Sequence, residues 1–277
     1  MDKLADIFKK NWKTISFSYF LFSLSSILEF TYPKVFGDTV DHLINSDYTQ
    51  IWKLGLVFIG MIAFDYVSRI YDIKIFSSIY RKFTSREINN QIDKGIDTSK
   101  INGRLSLMYS IIDFFKIDVA IIIQTIFGII VSLYFISLES TQLVFWLLLS
   151  GVIIIALSYY FTPKIAKITK ERNNLEEEQT QIVTTRKIRF INNLLRKRQK
   201  LSILDVKIST QYNVFIQIVV YLTVTVLLTY YVMNNEVTIG SVFSTYRYMF
   251  DFCSSVIGLT YTITSVINMI CKTYKNL

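Results

Sequence analysis

Charged side chains lie inside long apolar stretches of this 277-residue sequence. Glu29 is about fifteen positions into the first stretch. Asp65 and Arg69 lie four positions apart in the second stretch, and Arg247 and Asp251 have the same spacing in the last. Ionisable residues inside a membrane are costly and by default mark substrate, ion or proton pathways. Because residues four apart share a helix face, each Asp–Arg pair can neutralise itself.

Glu29 has no such partner in its own helix. The residues three and four positions away are all uncharged: Ser25, Ser26, Tyr32 and Pro33. In a low-dielectric site the charged form of a lone carboxyl group is costly, and binding a proton or another cation removes that cost. Glu29 is therefore the leading candidate for proton or cation handling.

Three of these acids, Glu29, Asp65 and Asp251, fall near mid-depth by residue count, so six helices can bring them to one polar cavity. The further candidate lining residues are Tyr66, Arg69 and Arg247. An interhelical salt-bridge network that only fixes packing fits the pattern equally well, and lipid-facing snorkelling is a third interpretation. If the cavity binds substrate, its acids favour cationic or amphipathic cargo, including peptides.

Long apolar helices must position these charges. Apolar residues make up 52% of the chain, charged residues 18%, and the mean hydropathy is +0.39. The apolar residues form runs of the roughly 20 residues that a transmembrane helix needs. The sequence predicts an all-α integral membrane protein, one domain over residues 1–277, with spans at about 14–36, 51–79, 116–138, 142–161, 214–233 and 241–271.

The loop charges predict the topology of these spans, because cytoplasmic loops carry an excess of Lys and Arg. The loop over residues 80–112 has six Lys and Arg residues against three acids, and the loop over residues 162–213 has twelve against five. The three other loops contain one acid each and no base: Asp47, Glu139 and Glu236. The pattern predicts a multi-pass protein of the plasma or inner membrane with both termini in the cytoplasm.

The sequence predicts that the two inner loops form helical extensions of the spans. In the second, apolar residues recur at helical spacing, so the fourth span is predicted to continue to about Arg186 and the fifth to return from about Leu201. A basic run over residues 186–200 lies at the tip. It is a solvated loop or a docking surface for an acidic partner. Nucleic acid is disfavoured, because Phe190 is the one aromatic residue there that could stack on a base.

The scarce residues exclude several kinds of chemistry. One histidine, His42, and two cysteines, Cys253 and Cys271, do not supply the four ligands of a structural zinc site. No Gly-rich phosphate loop and no protease or hydrolase motif occurs in the sequence. We expect no enzyme activity, no metal and no cofactor in this chain.

Three short motifs, in order, resemble the membrane domain of the ATP-binding-cassette (ABC) exporter family. Pro33, Gly37 and Asp41 are similar to the family's residues before the first outer loop. The stretch 102–105, which contains Asn102, Gly103 and Arg104, resembles the family's "TGEL" motif before the third span, and residues 236–241 resemble its link between the fifth and sixth spans. The likeness covers nearly the whole chain.

The resemblance implies a homodimer or heterodimer of six-helix units, in which the fourth and fifth spans cross to the partner subunit. It also implies that the inner loops dock on a nucleotide-binding domain, which is not visible in this sequence. The docking candidates are Asn102, Gly103 and Arg104 in the first loop and Arg186, Lys187 and Arg189 in the second. The second loop departs from the family's pattern, since no glycine stands at its turn.

These observations leave two classes of function. The first is a transport subunit with alternating access, coupled either to a separately encoded ATPase or to an ion gradient. The second is a non-transporting membrane scaffold or regulator derived from an exporter, whose polar cavity would be filled by its own side chains.

Overall fold

Six long helices make up the part of the chain that the computed structural model describes, which is residues 9, 11–92, 109, 112–183 and 188–275. They are α1 (Trp12–Ile44), α2 (Ile51–Ile92), α3 (Val119–Glu139), α4 (Thr141–Val183), α5 (Ile188–Asn234) and α6 (Ile239–Lys275). A short π-helix at Phe114–Asp118 leads into α3. No strand occurs in these residues, and the predicted all-α membrane fold is confirmed.

Four of the helices contain candidate membrane spans by length and apolar composition. These are Ile51–Lys82, Phe114–Glu139, Thr141–Arg172 and Asn193–Asn234, with mean hydropathy from 1.5 to 2.5. They coincide with the second to fifth predicted spans. Helices also form over the first and sixth predicted spans, but α1 and α6 are not among the candidates found in the described residues.

Most of the helices extend beyond the predicted spans. α1 continues from about Phe36 to Ile44, and α4 ends at Val183, close to the predicted Arg186. α5 begins at Ile188, well before the predicted Leu201. The intervening basic run is rich in Leu, Arg, Lys and Gln, which are good helix formers, and it forms the first turns of α5 instead of a loop.

Two compact units divide the chain. One comprises Met1–Val144 and Leu228–Leu277, and the other comprises Phe145–Leu227. In the first unit, α3 packs on α6, and α1 packs on α2, α3 and α6. The second unit holds most of α4 and α5. That all six helices form a single domain stays a prediction.

α1 and α6 approach closely at two glycines, in the halves that are predicted to be outer. A Cβ on Gly37 would overlap the backbone carbonyl of Gly240, and a Cβ on Gly240 would overlap the backbone carbonyl of Gly37. Close by, Ser244 Oγ donates to the Pro33 carbonyl at 2.8 Å, and the Lys34 N–H donates to the Tyr248 hydroxyl at 3.2 Å. Because Pro33 interrupts the backbone hydrogen bonding of α1, α6 side chains bond backbone groups at this point.

Small residues also bring α3 against α6 and α1. A Cβ on Gly128 would overlap Ser255 Oγ and come within 2.8 Å of the Phe30 ring. Thr125 and Ser132, one turn to either side of Gly128, are buried. Small side chains at the spacing of a helical face allow helix backbones to approach in a membrane.

An aromatic and aliphatic cluster joins α1, α2 and the residues that lead into α3, toward their predicted cytoplasmic ends. Its buried members are Ile15, Ile75, Phe76, Ile79 and Ile112, with Tyr19, Tyr71, Tyr80 and Phe115 packed against them. The Tyr19 hydroxyl donates to the Phe115 carbonyl at 2.6 Å. A π-helix bonds i to i+5 in place of i+4, and this carbonyl inside it receives its hydrogen bond from another helix.

In the second unit, side-chain contacts join α4 and α5 at two levels. Ser158 Oγ and the Tyr212 hydroxyl are 2.8 Å apart, and the Phe161 ring lies 5.6 Å from that of Tyr212. Nearer the turn between the helices, Arg172 Nη1 donates to Asp205 Oδ2 at 2.9 Å. α4 has 43 residues, or about 65 Å at 1.5 Å per residue, roughly twice the hydrocarbon thickness of a bilayer.

Candidate functional site

Glu29 meets a polar partner on another helix. Gln124 Nε2, on α3, donates to Glu29 Oε2 at 3.1 Å. Sequence reasoning missed Gln124, because a single amide in a strongly apolar helix attracts less notice than a charge. Gln124 lies in the candidate span with the highest mean hydropathy, 2.5, and this position could have indicated its role, since an amide in such a helix needs a polar partner.

Arg247 and Asp251 form the i, i+4 pair that their spacing predicts. Arg247 Nε lies 3.1 Å from Asp251 Oδ1 and 3.2 Å from Oδ2. Asp251 is buried, whereas the Arg247 side chain is 46% exposed. Glu29 lies close enough to Asp251 for the two carboxylates to repel each other. The structure therefore brings Glu29, Gln124, Arg247 and Asp251 into one group, named here the mid-depth polar group.

The close approach at Gly128 positions this group. Glu29 precedes Phe30, Gln124 lies one turn before Gly128, and Asp251 lies one turn before Ser255. Phe30 and Ser255 are the residues that contact Gly128. The three helices thus meet at one small residue, and the polar side chains belong to residues within one turn of that contact.

Asp65, Tyr66 and Arg69 lie elsewhere. Arg69 Nε donates to Asp65 Oδ1 and Oδ2 at 3.0 and 2.8 Å, so this predicted pair also forms. The side chains of Arg69 and Asp65 are 76% and 48% exposed, and Tyr66 is exposed as well. The described contacts of the pair are internal to α2 and do not reach the mid-depth polar group.

A second polar group lies toward the predicted outer ends of α1 and α6. Asp41 Oδ1 accepts from the Gly240 N–H at 2.8 Å, and Asp41 Oδ2 accepts from the Thr238 hydroxyl at 2.5 Å. An open cavity of about 500 Å³ beside it is lined by Val35, Asp38, Thr39, Asp41, His42, Gln50 and Lys53. Asp41 thereby fixes the turn before α6 to the end of α1.

Asp47 lies in the turn between α1 and α2, and hydrogen bonds to its carboxylate shift its pKa. Thr49 donates to Asp47 Oδ1 through its hydroxyl at 2.6 Å and its N–H at 2.9 Å, and His42 Nδ1 lies 2.9 Å from Oδ2. The Thr49 hydrogen bonds, and then His42, hold the pKa of Asp47 below its ordinary value.

A third polar contact, toward the predicted inner ends, was also missed. Ser18 Oγ donates to Asp72 Oδ1 between α1 and α2, and Lys116 in the π-helix attracts the Asp72 carboxylate. Asp72 is visible in the sequence seven positions after Asp65, but nothing local indicates that it pairs with another helix. In the residues that the structure describes, no group of three His, Cys, Asp or Glu side chains is placed to hold a metal.

Comparison with protein families decides the kind of membrane protein. A family model described as "ABC transporter transmembrane region" matches residues 4–242. The chain belongs to this family. None of the curated proteins compared with the sequence matches it. As a member of the ABC transporter transmembrane region family with several apolar helices, the chain is an integral, multi-pass membrane protein and a subunit of membrane transport machinery.

Family membership gives meaning to the contact around Asp41. Two of the motifs that carried the resemblance are 199 positions apart in the sequence, at Asp41 and Gly240, and they touch in the structure. The glycines of the two motifs, Gly37 and Gly240, form the closest approach of α1 and α6. These motif residues are therefore packing residues that join the first and last helices of the ABC transmembrane region.

The predicted docking residues cannot be placed in the same way. Asn102, Gly103, Arg104, Arg186 and Lys187 lie outside the described residues. Arg189 lies in the first turn of α5, and its side chain is outside the described part. Their role in docking stays a prediction.

Proposed function

We propose that this chain is the membrane subunit of a dimeric transporter that moves substrate by alternating access and is driven by an ABC-type nucleotide-binding subunit. Membership of the ABC transporter transmembrane region family carries the proposal. The mid-depth polar group supplies the substrate site, because charges inside a membrane are retained where they line a pathway. The chain itself is proposed to have no enzyme activity and no cofactor.

The length of α4 and α5 supports coupling to a soluble partner. Both helices continue well past a bilayer thickness, and Arg172 and Asp205 tie them together in that region. Exposed basic residues follow on α5, namely Arg196, Lys197 and Lys200. A stiff, basic helical pair of this length suits a protein surface at some distance from the membrane.

Exposure on α2 supports the dimer. Asp65, Tyr66 and Arg69 lie on a face that also exposes apolar residues, among them Ile59, Ile62 and Ile73. An ion pair facing lipid costs about 2.5–3.5 kcal/mol per charge on insertion scales. A second six-helix unit, either a copy of this chain or a related one, would cover this face and remove that cost.

Glu29 favours a second way of driving transport. Its partner is the neutral amide of Gln124, so its negative charge is not offset by an ion pair among the described side chains. Such a carboxyl can take up and release a proton, which would couple transport to an ion gradient without ATP.

Purification of the full chain in mild detergent, with identification of co-purifying proteins, tests the proposal. We expect a dimer that recovers a nucleotide-binding subunit and whose flux in liposomes needs ATP. A clean dimer with pH-dependent uptake and no ATP requirement would replace the ATPase with the ion gradient. A dimer that binds its partners and moves nothing would favour the scaffold or regulator.

A further inference from the structure

The charges of the mid-depth polar group do not cancel. Arg247 and Asp251 neutralise each other through contacts of 3.1 and 3.2 Å. Glu29 receives a hydrogen bond from an uncharged amide and takes part in none of the ion pairs between described side chains. The group therefore keeps one negative charge per protomer when its three ionisable side chains are all charged.

The uncompensated charge is also the accessible one. Asp251 is buried at 7% exposure, whereas Glu29 and Arg247 are exposed on the surface of their unit. A carboxylate that is open to a ligand and lies beside the strongly apolar helix α3 is stabilised most by a positive charge brought to it. Arg247 is committed to Asp251, so that positive charge must come from outside the group.

The hydrogen-bonding chemistry narrows the ligand further. Gln124 uses one N–H of its NH₂ group on Glu29, and among the described residues no donor is bonded to its carbonyl oxygen, which remains an acceptor. Glu29 and Gln124 together present carboxylate and amide oxygens, and Gln124 keeps one N–H as a donor. A divalent metal requires several oxygen ligands and two compensating charges, whereas an ammonium-type group requires one charge and two or three acceptors.

From this charge balance and donor set, we propose that the mid-depth polar group binds one singly charged organic cation per protomer, as the cationic part of the transported substrate. Glu29 provides the opposite charge, and Gln124 orients Glu29 and adds an acceptor. Asp251 and Arg247 form the neutral floor of the site. That the bound cation is part of a substrate rests on the proposed transport function, but the binding site itself does not require that transport occurs.

Equilibrium binding to the purified full chain in nanodiscs tests the site without nucleotide or gradient. The probes are two dyes of similar size and opposite charge, cationic rhodamine 6G and anionic sulforhodamine B, followed by fluorescence anisotropy against empty nanodiscs. We expect saturable binding of rhodamine 6G alone. Glu29→Gln should weaken it by about tenfold or more, which is the loss of one charge-assisted contact. Glu236→Gln, the same change at an exposed acid in the outer loop, should leave it within about twofold.

A gain-of-binding variant guards against loss of fold. Gln124→Glu adds a second negative charge beside Glu29 and should strengthen rhodamine 6G binding, whereas a misfolded protein would not bind better. Equal affinity of the wild type and Glu29→Gln for rhodamine 6G would overturn the proposal, as would saturable binding of sulforhodamine B that rhodamine 6G displaces. Glu29-dependent binding without any flux in liposomes would refute the transport function and keep the site. Flux in liposomes together with dye binding that Glu29→Gln does not weaken would refute the site and keep the transport function.

Discussion

At the scale of single residues, two glycines with opposite surroundings allow a matched test of packing. Gly37 faces the backbone of Gly240, whereas no atom lies within 4 Å of a Cβ placed on Gly55. Gly37→Ala should lower the thermal stability of the purified protein, because the backbone of α6 must move aside. Overpacking of this kind typically costs 1–3 kcal/mol.

Gly55→Ala, in α2, provides the control. Alanine is favoured over glycine in a helix by about 0.8–1 kcal/mol, so this variant should melt at or slightly above the wild-type temperature. If both variants melt at the wild-type temperature in the same detergent, Gly37 and Gly240 are not in close contact.

The pH dependence of the turn at Asp47 also belongs to the scale of single residues. Thr49→Val removes the hydroxyl that bonds Asp47, so the pKa of Asp47 should rise toward its ordinary value, while Thr49→Ser should leave it low. Because the folded pKa is lowered, this carboxylate stabilises the turn at pH values above its ordinary pKa. That contribution disappears as the pH falls through the folded pKa. Carboxyl-carbon NMR of labelled Asp47 gives the titration midpoint, and an unchanged midpoint in Thr49→Val would contradict the hydrogen bond.

At the scale of the elements, Arg172 and Asp205 hold the extensions of α4 and α5 together. Arg172→Gln and Asp205→Asn should each speed hydrogen exchange in both extensions, since the pair is partly buried, with 33% and 17% of the side chains exposed. We expect an acceleration of about fivefold to tenfold, or roughly 1 kcal/mol. The double exchange Arg172→Asp with Asp205→Arg should recover part of the protection.

Glu171→Gln serves as the neighbouring control for that measurement. Glu171 is exposed and takes part in none of the ion pairs between described side chains, so its loss should leave the exchange rates unchanged. Acceleration by Glu171→Gln equal to that of Asp205→Asn would mean that any loss of negative charge loosens the extensions, and the specific pair would have no special role.

The elements also show how far the sequence predicts this protein. Apolar runs and i, i+4 spacing predicted the second to fifth spans and both Asp–Arg pairs, because these features are local to one helix. The contacts of Glu29 with Gln124, of Asp72 with Ser18 and of Asp41 with Gly240 join residues 54 to 199 positions apart. Such contacts depend on how helices pack, which one sequence does not determine by its periodicity. The sequence predicts the start of α5 near Leu201, whereas the helix begins at Ile188, because the basic residues from 188 to 200 are themselves helical.

At the scale of the whole molecule, the charge asymmetry predicts the orientation in the membrane. In a background with Cys253→Ala and Cys271→Ser, a cysteine at exposed Tyr48 should react with a membrane-impermeant maleimide in intact cells. A cysteine at exposed Lys170 should react only after permeabilisation, because it lies in the most basic loop region. The reverse pattern of labelling would place both termini outside.

The π-helix before α3 has a consequence for insertions and deletions. A π-turn accommodates one residue more than an α-turn, and each residue of an α-helix turns the chain by about 100°. Deleting one residue within Phe114–Asp118 would allow a continuous α-helix through α3, and the residues on either side would keep nearly the same rotational position, because the residue lost is the extra one of the π-turn. One residue deleted within α3 itself would instead rotate the residues before the deletion by about 100° relative to the rest of α3, including the carbonyl that Tyr19 now bonds. At the π-helix the chain can therefore lose one residue without changing which sides of the flanking helical residues face their partners.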